Sequence, residues 1–163
     1  MPRGEIMKKW HDLAKLIQVE PSILGERNSP ETLKGLVDKK LAFTREVDGD
    51  IVAYAGMFPT SHKDWLEFGS MFVRKDHRGK GMLSELFPKC MGVIHNGFRV
   101  LVVTYNPKVI HLCIKAKLNE SPCTKAMDPP TEVVCGPCDR VPDNEKHICP
   151  FRYKRNRCAV FFL

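Results

Sequence analysis

No stretch of this 163-residue chain approaches the roughly 20 consecutive apolar residues that a helix needs to cross a bilayer, so no membrane span is expected. The first ten residues, Met-Pro-Arg-Gly-Glu-Ile-Met-Lys-Lys-Trp, lack the continuous apolar stretch and small-residue cleavage site of a secretory signal. A cytoplasmic location is the resulting expectation. Histidines are present but scattered: His11, His62, His77, His95, His111 and His147 show neither a Ser/His/Asp arrangement nor a His-Glu-x-x-His spacing. Hydrolase and zinc-protease chemistry therefore has no support. Internal repeats and low-complexity tracts are also missing, and with them the signatures of solenoids and disordered linkers.

What is present fits one globular domain over residues 1–163, with 43% hydrophobic and 28% charged residues. Basic residues number 26 against 19 acidic, and the net charge of +7 favours acidic partners. Two places concentrate that charge. Arg74, Lys75, Arg78 and Lys80 lie near a glycine pair, where they would surround an anionic ligand. Arg152, Lys154, Arg155 and Arg157 alternate with Phe151 and Tyr153; this is either a solvated loop or a surface for nucleic acid, whose bases the aromatics would stack on.

The first basic group belongs to the segment Val-Arg-Lys-Asp-His-Arg-Gly-Lys-Gly-Met-Leu-Ser at residues 73–84. It reads as a strand end running through a glycine turn into an amphipathic helix that carries Met82, Leu83, Leu86, Phe87, Met91 and Ile94 on one side. A helix start offers bare N–H groups and about half a positive charge, and Gly79 and Gly81 let a ligand approach the backbone. A diphosphate suits that cradle. Pro88 falls inside the helix and predicts a kink near Ser84–Pro88.

The surrounding pattern gives a β-β-β-α-β-α order. Strands are predicted at Leu41–Val47, Asp50–Phe58 and Trp65–Val73, the first two joined by the turn dipeptide Asp48-Gly49, and a fourth at Phe98–Tyr105. Asn106-Pro107 then opens a helix with Val109, Ile110, Leu112, Cys113 and Ala116 at helical spacing. Two helices precede the strands, one over residues 4–19 and one capped by Ser29 with Pro30 in its first position.

With these elements in place, the chain resembles the GNAT superfamily of N-acetyltransferases, whose acetyl-coenzyme A motif, R/Q-x-x-G-x-G/A, directly follows a strand. Arg78, Gly79, Lys80, Gly81 and Met82 fall on its first five positions, Leu83 stands where the family prefers Gly or Ala, and Ser84 follows. The resemblance covers roughly residues 41–118 and implies an α+β fold: a central, mostly antiparallel twisted sheet flanked by helices. The family's usual first strand has no counterpart ahead of the two helices, so a sheet short by one edge strand is expected.

The resemblance also implies roles. Backbone groups of Met71 and Val73 would pair with the pantetheine arm, and the N–H of Phe72 or Val73 would polarise the thioester carbonyl. An alkylammonium of pKa about 10 is neutral in only about one part in a thousand at pH 7, a cost of roughly 4 kcal/mol, so a base is needed. Glu67 occupies the position of the family's carboxylate. Strict alternation would put it on one face with Gly69, Met71 and Val73, unless the bulge known in the family intervenes at Gly69-Ser70. Cys113 stands where many members carry a tyrosine that protonates the departing thiolate; Cys113 or Tyr105 is the candidate acid here, and Asn106 either touches the cosubstrate or caps its helix.

Seven cysteines occur, and four are late: Cys135, Cys138, Cys149 and Cys158. A Cys-x-x-Cys knuckle with two further thiols fits a structural zinc site, free thiols or a disulfide. The β-rich runs Thr131–Cys135 and Cys158–Leu163 are expected to pair as a Cys-rich C-terminal β-hairpin closing residues 119–163. The functional expectation is an acetyl-CoA-dependent N-acetyltransferase acting on a primary amine. The alternative is a catalytically impaired GNAT-like module that engages a partner such as nucleic acid through the basic, Cys-rich hairpin.

Overall fold

Trp10, Leu13, Ala14 and Ile17 recur three and four residues apart, and α1 (Arg3–Gln18) buries all four in the computed structural model of the chain. The structure describes residues 3–19, 28–121, 129–130, 133–134, 144 and 158–163. Helix α2 (Pro30–Asp38) starts as its sequence dictates: the Ser29 hydroxyl accepts the Thr32 N–H at 3.1 Å, and Pro30 fills the first helical position. Its buried face is Leu33 and Leu36.

Strands β1 (Ala42–Val47) and β2 (Asp50–Pro59) form an antiparallel hairpin. Asp48 and Gly49 turn it with φ of 52° and 86°, the left-handed pair that a two-residue hairpin needs. Residues 51–58 of β2 are all buried. Tyr54 and Phe58 join the core of α1 and α2, and Cys90 of α3 (Met82–Met91) brings its thiol to 3.4 Å from the Ala55 carbonyl oxygen. The rest of the order is β3 (Trp65–Val73), a 3-10 turn at Lys75–His77, α3, a 3-10 stretch at Gly92–Asn96, β4 (Arg99–Thr104), α4 (Pro107–Lys115), β5 (Asn119–Glu120) and β6 (Ala159–Phe162). Helix α3 stays helical through Pro88 and gives way to 3-10 geometry only at Gly92.

The sheet is mixed, with strand order β1-β2-β3-β4-β6-β5. Strands β3 and β4 are parallel, while β6 is antiparallel to both β4 and β5. Among the described residues, strand β1 ends the order. The chain divides into two compact units, each made of two segments. One is Met1–Phe58 with Gly69–Val93; the other is Pro59–Phe68 with Ile94–Leu163. The first has the core of α1, α2, β1 and β2, joined by Phe72; the second packs Trp65, Leu101, Val133, Val134, Val160 and Phe162 together. Among the described residues, no helix is long and apolar enough to cross a membrane.

The expected Cys-rich C-terminal hairpin is not confirmed, since of its first run only Val133 and Val134 are among the described residues. Val133 and Val134 form a helical turn, with both N–H groups directed to the Pro130 carbonyl oxygen at 3.0 and 3.2 Å. Strand β6 pairs with β4 along its length and with β5 at Phe161 and Phe162, while Thr131, Glu132 and Cys135 lie outside the described residues. The β-branched residues that suggested a strand are used as core filling instead.

Tyr54 lies over Gly56. A Cβ at Gly56 would come within 2.8 Å of the Tyr54 Oη and 3.3 Å of the Ala42 Cβ. The buried ring has little room to retreat, so Gly56→Ala is expected to destabilise the protein by about 1–3 kcal/mol. Urea denaturation checks this; an unchanged midpoint would mean that the ring moves freely.

Candidate active site

Strand β3 delivers the chain to the cradle. Past Val73, the Arg74 N–H bonds the Val52 carbonyl oxygen at 2.8 Å, tying the exit to β2, and the 3-10 turn at Lys75–His77 reverses direction. Gly79 and Gly81 have φ of 80° and 74°, where any other residue is strained. Space is open around both: a Cβ at either would find nothing within 4 Å. Gly81 is the N-cap of α3 and brings no side chain to cap it. The first helical bond is Glu85 N–H to the Gly81 carbonyl oxygen at 3.1 Å, which leaves the amides of Met82, Leu83 and Ser84 ahead of the intrahelical ladder. Exposed amides, the helix dipole and unobstructed glycines fit a diphosphate. Leu83, at the position where a small residue was expected, is half-buried.

The charges around this mouth are sorted differently from the simple picture of four cations. Arg74 forks onto Asp76 at 2.9 and 3.0 Å, reaches Asp50 at 3.4 Å and places Nη2 3.0 Å from the His77 Nε2. Hydrogen bonding to Arg74 holds the Asp76 carboxyl below its ordinary range. Arg74 is thus a brace for the turn, and its charge is answered by carboxylates. The Arg78 Nε donates to the Val73 carbonyl oxygen at 3.0 Å, so its side chain folds back along the strand end. Lys75 and Lys80 are exposed. Glu85, an anion in the first turn of α3, is drawn to Lys89 at 3.1 Å and Arg45 at 3.9 Å.

Met71, Phe72 and Val73 precede the cradle in the same unit. Phe72 is buried in the core, while Met71 and Val73 are half-buried. Ser70 just before them has φ of 50°, left-handed backbone within a strand. The expected irregularity at Gly69-Ser70 is therefore present and falls on the serine, so the two-residue alternation read from Glu67 to Val73 is broken there.

Glu67, Tyr105, Asn106 and Cys113 belong to the second unit. Glu67 is only 6% exposed and sits opposite Leu101 of β4, which rules out a solvent-facing strand glutamate. Asn106 caps α4, its Oδ1 accepting the Lys108 N–H at 3.0 Å. Tyr105 is half-buried between β4 and α4. Cys113 has no exposed surface, and burial pushes its thiol up to about 12. An acid that weak and that enclosed is a poor proton donor to a thiolate, whose own conjugate acid lies near about 8.5. Cys113 reads as a small hydrophobic core residue.

Of the four late cysteines, Cys135, Cys138 and Cys149 lie outside the described residues, as does the basic run at 152–157. Cys158 is half-buried and packs against the second core. Among the described residues, no group of three or more metal-binding side chains occurs.

Residues 10–113 match the Acetyltransferase (GNAT) family, more than half of the chain. The chain belongs to the GNAT acetyltransferase family. No curated protein matches it. Solved structures do. Rv2747 from Mycobacterium tuberculosis, in complex with CoA, is 16% identical with a TM-score of 0.62 over 96% of this chain and 94% of that one. YncA of Salmonella typhimurium, a putative acetyltransferase solved with acetyl-CoA, is 12% identical with a TM-score of 0.57 over 99% and 88%. The diaminobutyrate acetyltransferase EctA of Paenibacillus lautus, solved with its substrate and coenzyme A, is 15% identical with a TM-score of 0.56 over 96% and 89%. At these identities the likeness is one of fold: this GNAT acetyltransferase has the family's mixed sheet flanked by helices.

If the cradle binds through backbone geometry, Gly81→Val should fail there without meeting any neighbouring atom. A β-branched residue at positive φ costs about 1–2 kcal/mol, so the backbone should shift and CoA affinity should fall by roughly tenfold. Isothermal titration with CoA measures it; wild-type affinity in the variant would show that these amides are not the contact.

Proposed function

We propose that this GNAT acetyltransferase transfers the acetyl group of acetyl-CoA to a primary amine, which attacks the thioester directly. The observation that carries the reading is the uncapped start of α3 behind two left-handed glycines, a cradle for the diphosphate at the end of strand β3. Arg78 to Ser84 hold that end of the cosubstrate. Backbone groups of Met71 and Val73 align the pantetheine arm, and the N–H of Phe72 or Val73 polarises the carbonyl; loss of such a donor typically costs about 3 kcal/mol of barrier. Acetyl-CoA supplies the activated acyl group.

Two protons must move. Glu67 accepts the proton of the ammonium, directly or through a water, from its buried place in β3 opposite Leu101. The departing thiolate takes a proton from Tyr105, a role that the burial of Cys113 leaves to it. An amine as acceptor is supported by the fold's occurrence in a diaminobutyrate acetyltransferase. Asn106 keeps the structural duty of capping α4.

Purified protein incubated with acetyl-CoA and a panel of primary amines should release free thiol with at least one of them. Binding of acetyl-CoA without turnover by any amine would count against the reading. Glu67→Gln is expected to lower kcat by about a hundredfold or more at neutral pH while acetyl-CoA still binds. For the second proton, Tyr105→Phe should slow turnover and Cys113→Ala should not; the reverse result would return the cysteine to the reaction.

A further inference from the structure

Asn28 is a polar residue with no exposed surface, in the last residues before α2. Buried amides are kept where they hold something, because their desolvation is costly unless it is answered by hydrogen bonds. Asn28 answers part of it across 42 residues of sequence: the Ser70 hydroxyl donates to its Oδ1. Ser70 is the residue of β3 with φ of 50°. Left-handed backbone is uncommon for any residue with a Cβ, and a strand offers it no local support. Ser70 is followed at once by Met71, Phe72 and Val73.

We infer that Asn28 and Ser70 are a positioning pair: their hydrogen bond holds the left-handed turn of β3 and thereby aims the N–H groups of Phe72 and Val73. The inference rests on the proposed acetyl transfer, since it is the thioester carbonyl that those donors would meet. Three features make the pair suited to the task. Phe72 is buried in the core of the same unit with Phe58, so the strand past the turn cannot swing freely. The Arg74 N–H, bonded to the Val52 carbonyl oxygen at 2.8 Å, fixes the far end of the segment. Ser70 fixes the near end through its side chain, which reaches outside the strand to Asn28. Gly69 beside it meets only ordinary contacts with the Phe58 ring and has no need of the unusual conformation.

The test separates backbone conformation from mere stability. Ser70→Ala removes the hydroxyl but keeps the Cβ that disfavours positive φ; Ser70→Gly removes both the bond and the penalty. The pair predicts that Ser70→Ala and Asn28→Ala lower kcat by about tenfold, equivalent to about 1.4 kcal/mol, with little change in the dissociation constant for CoA. Ser70→Gly should recover most of the loss. Isotope-edited infrared spectra of bound acetyl-CoA labelled with carbon-13 at the carbonyl give a readout that simple destabilisation does not move. The carbonyl stretch should shift to lower frequency on binding to the wild type, less so in Ser70→Ala, and again fully in Ser70→Gly. Should Asn28→Ala not fold, the two Ser70 variants carry the test. Equal shifts and equal kcat in wild type and Ser70→Ala would overturn the inference, as would a Ser70→Gly variant no better than Ser70→Ala. A wild type that binds acetyl-CoA with no carbonyl shift also overturns it, whereas failure of the wild type to bind acetyl-CoA defeats the proposed function itself.

Discussion

A helix start left bare is the constraint that organises the first unit. An ordinary N-cap would fill it: Ser29 and Asn106 do so for α2 and α4, each accepting an amide of the first turn. Helix α3 forgoes that bond, which is typically worth about 1 kcal/mol, and has Gly81 in its place. The helix must then be held by its other face. Leu86, Phe87 and Cys90 bury that face, and the tolerated Pro88 lies between them, away from the first turn. The proline removes a hydrogen bond from the middle of the helix and leaves the anion-facing amides untouched.

Electrostatics around the same point leave it open to an anion. Glu85 would be a competitor at the positive end of the helix dipole, but Lys89 and Arg45 engage its carboxylate from the side. The one arginine closest to the strand end is similarly committed. Arg74 knits Asp50, Asp76 and His77 into a brace under the turn, so its contribution is shape, its own charge being met by the two carboxylates. Surface ion pairs of this kind add little to stability singly. Their value here is that they fix a turn whose two glycines provide no rigidity of their own.

What could be read in the sequence was whatever depends on near neighbours. Helical spacing from Trp10 to Ile17, the Ser29-Pro30 and Asn106-Pro107 starts, the Asp48-Gly49 turn and the strand from Trp65 to Val73 are local patterns, and each element formed where its pattern lay. The glycine cradle was legible for the same reason. Failures began where an element's fate depends on distant partners. Val133 and Val134 have the β-branched chemistry of a strand, yet they pack as a helical turn in the core of Trp65, Leu101, Val160 and Phe162. Cys113 has the helical register expected of an acid, but register does not report depth, and depth took its proton out of reach. The commitment of Arg74 is shared with Asp50 at the start of β2, a partner 24 residues away that no local spacing announces.

Strand β3 shows why such long-range facts matter most at the site. A strand that both supports a core and presents amides to a ligand faces a conflict, because regular pairing consumes the amides it would present. Left-handed backbone at one residue resolves the conflict by turning the segment beyond it, but the conformation is unfavourable and needs support from outside the strand. Glycine at position 70 would have relieved the strain and surrendered the anchor, since it has no side chain to hold. Serine accepts the strain and gains a hydroxyl that reaches Asn28. Serine at position 70, with a glycine immediately adjacent at 69, therefore offsets the strain through a tether to Asn28, where glycine would adopt the same direction without one.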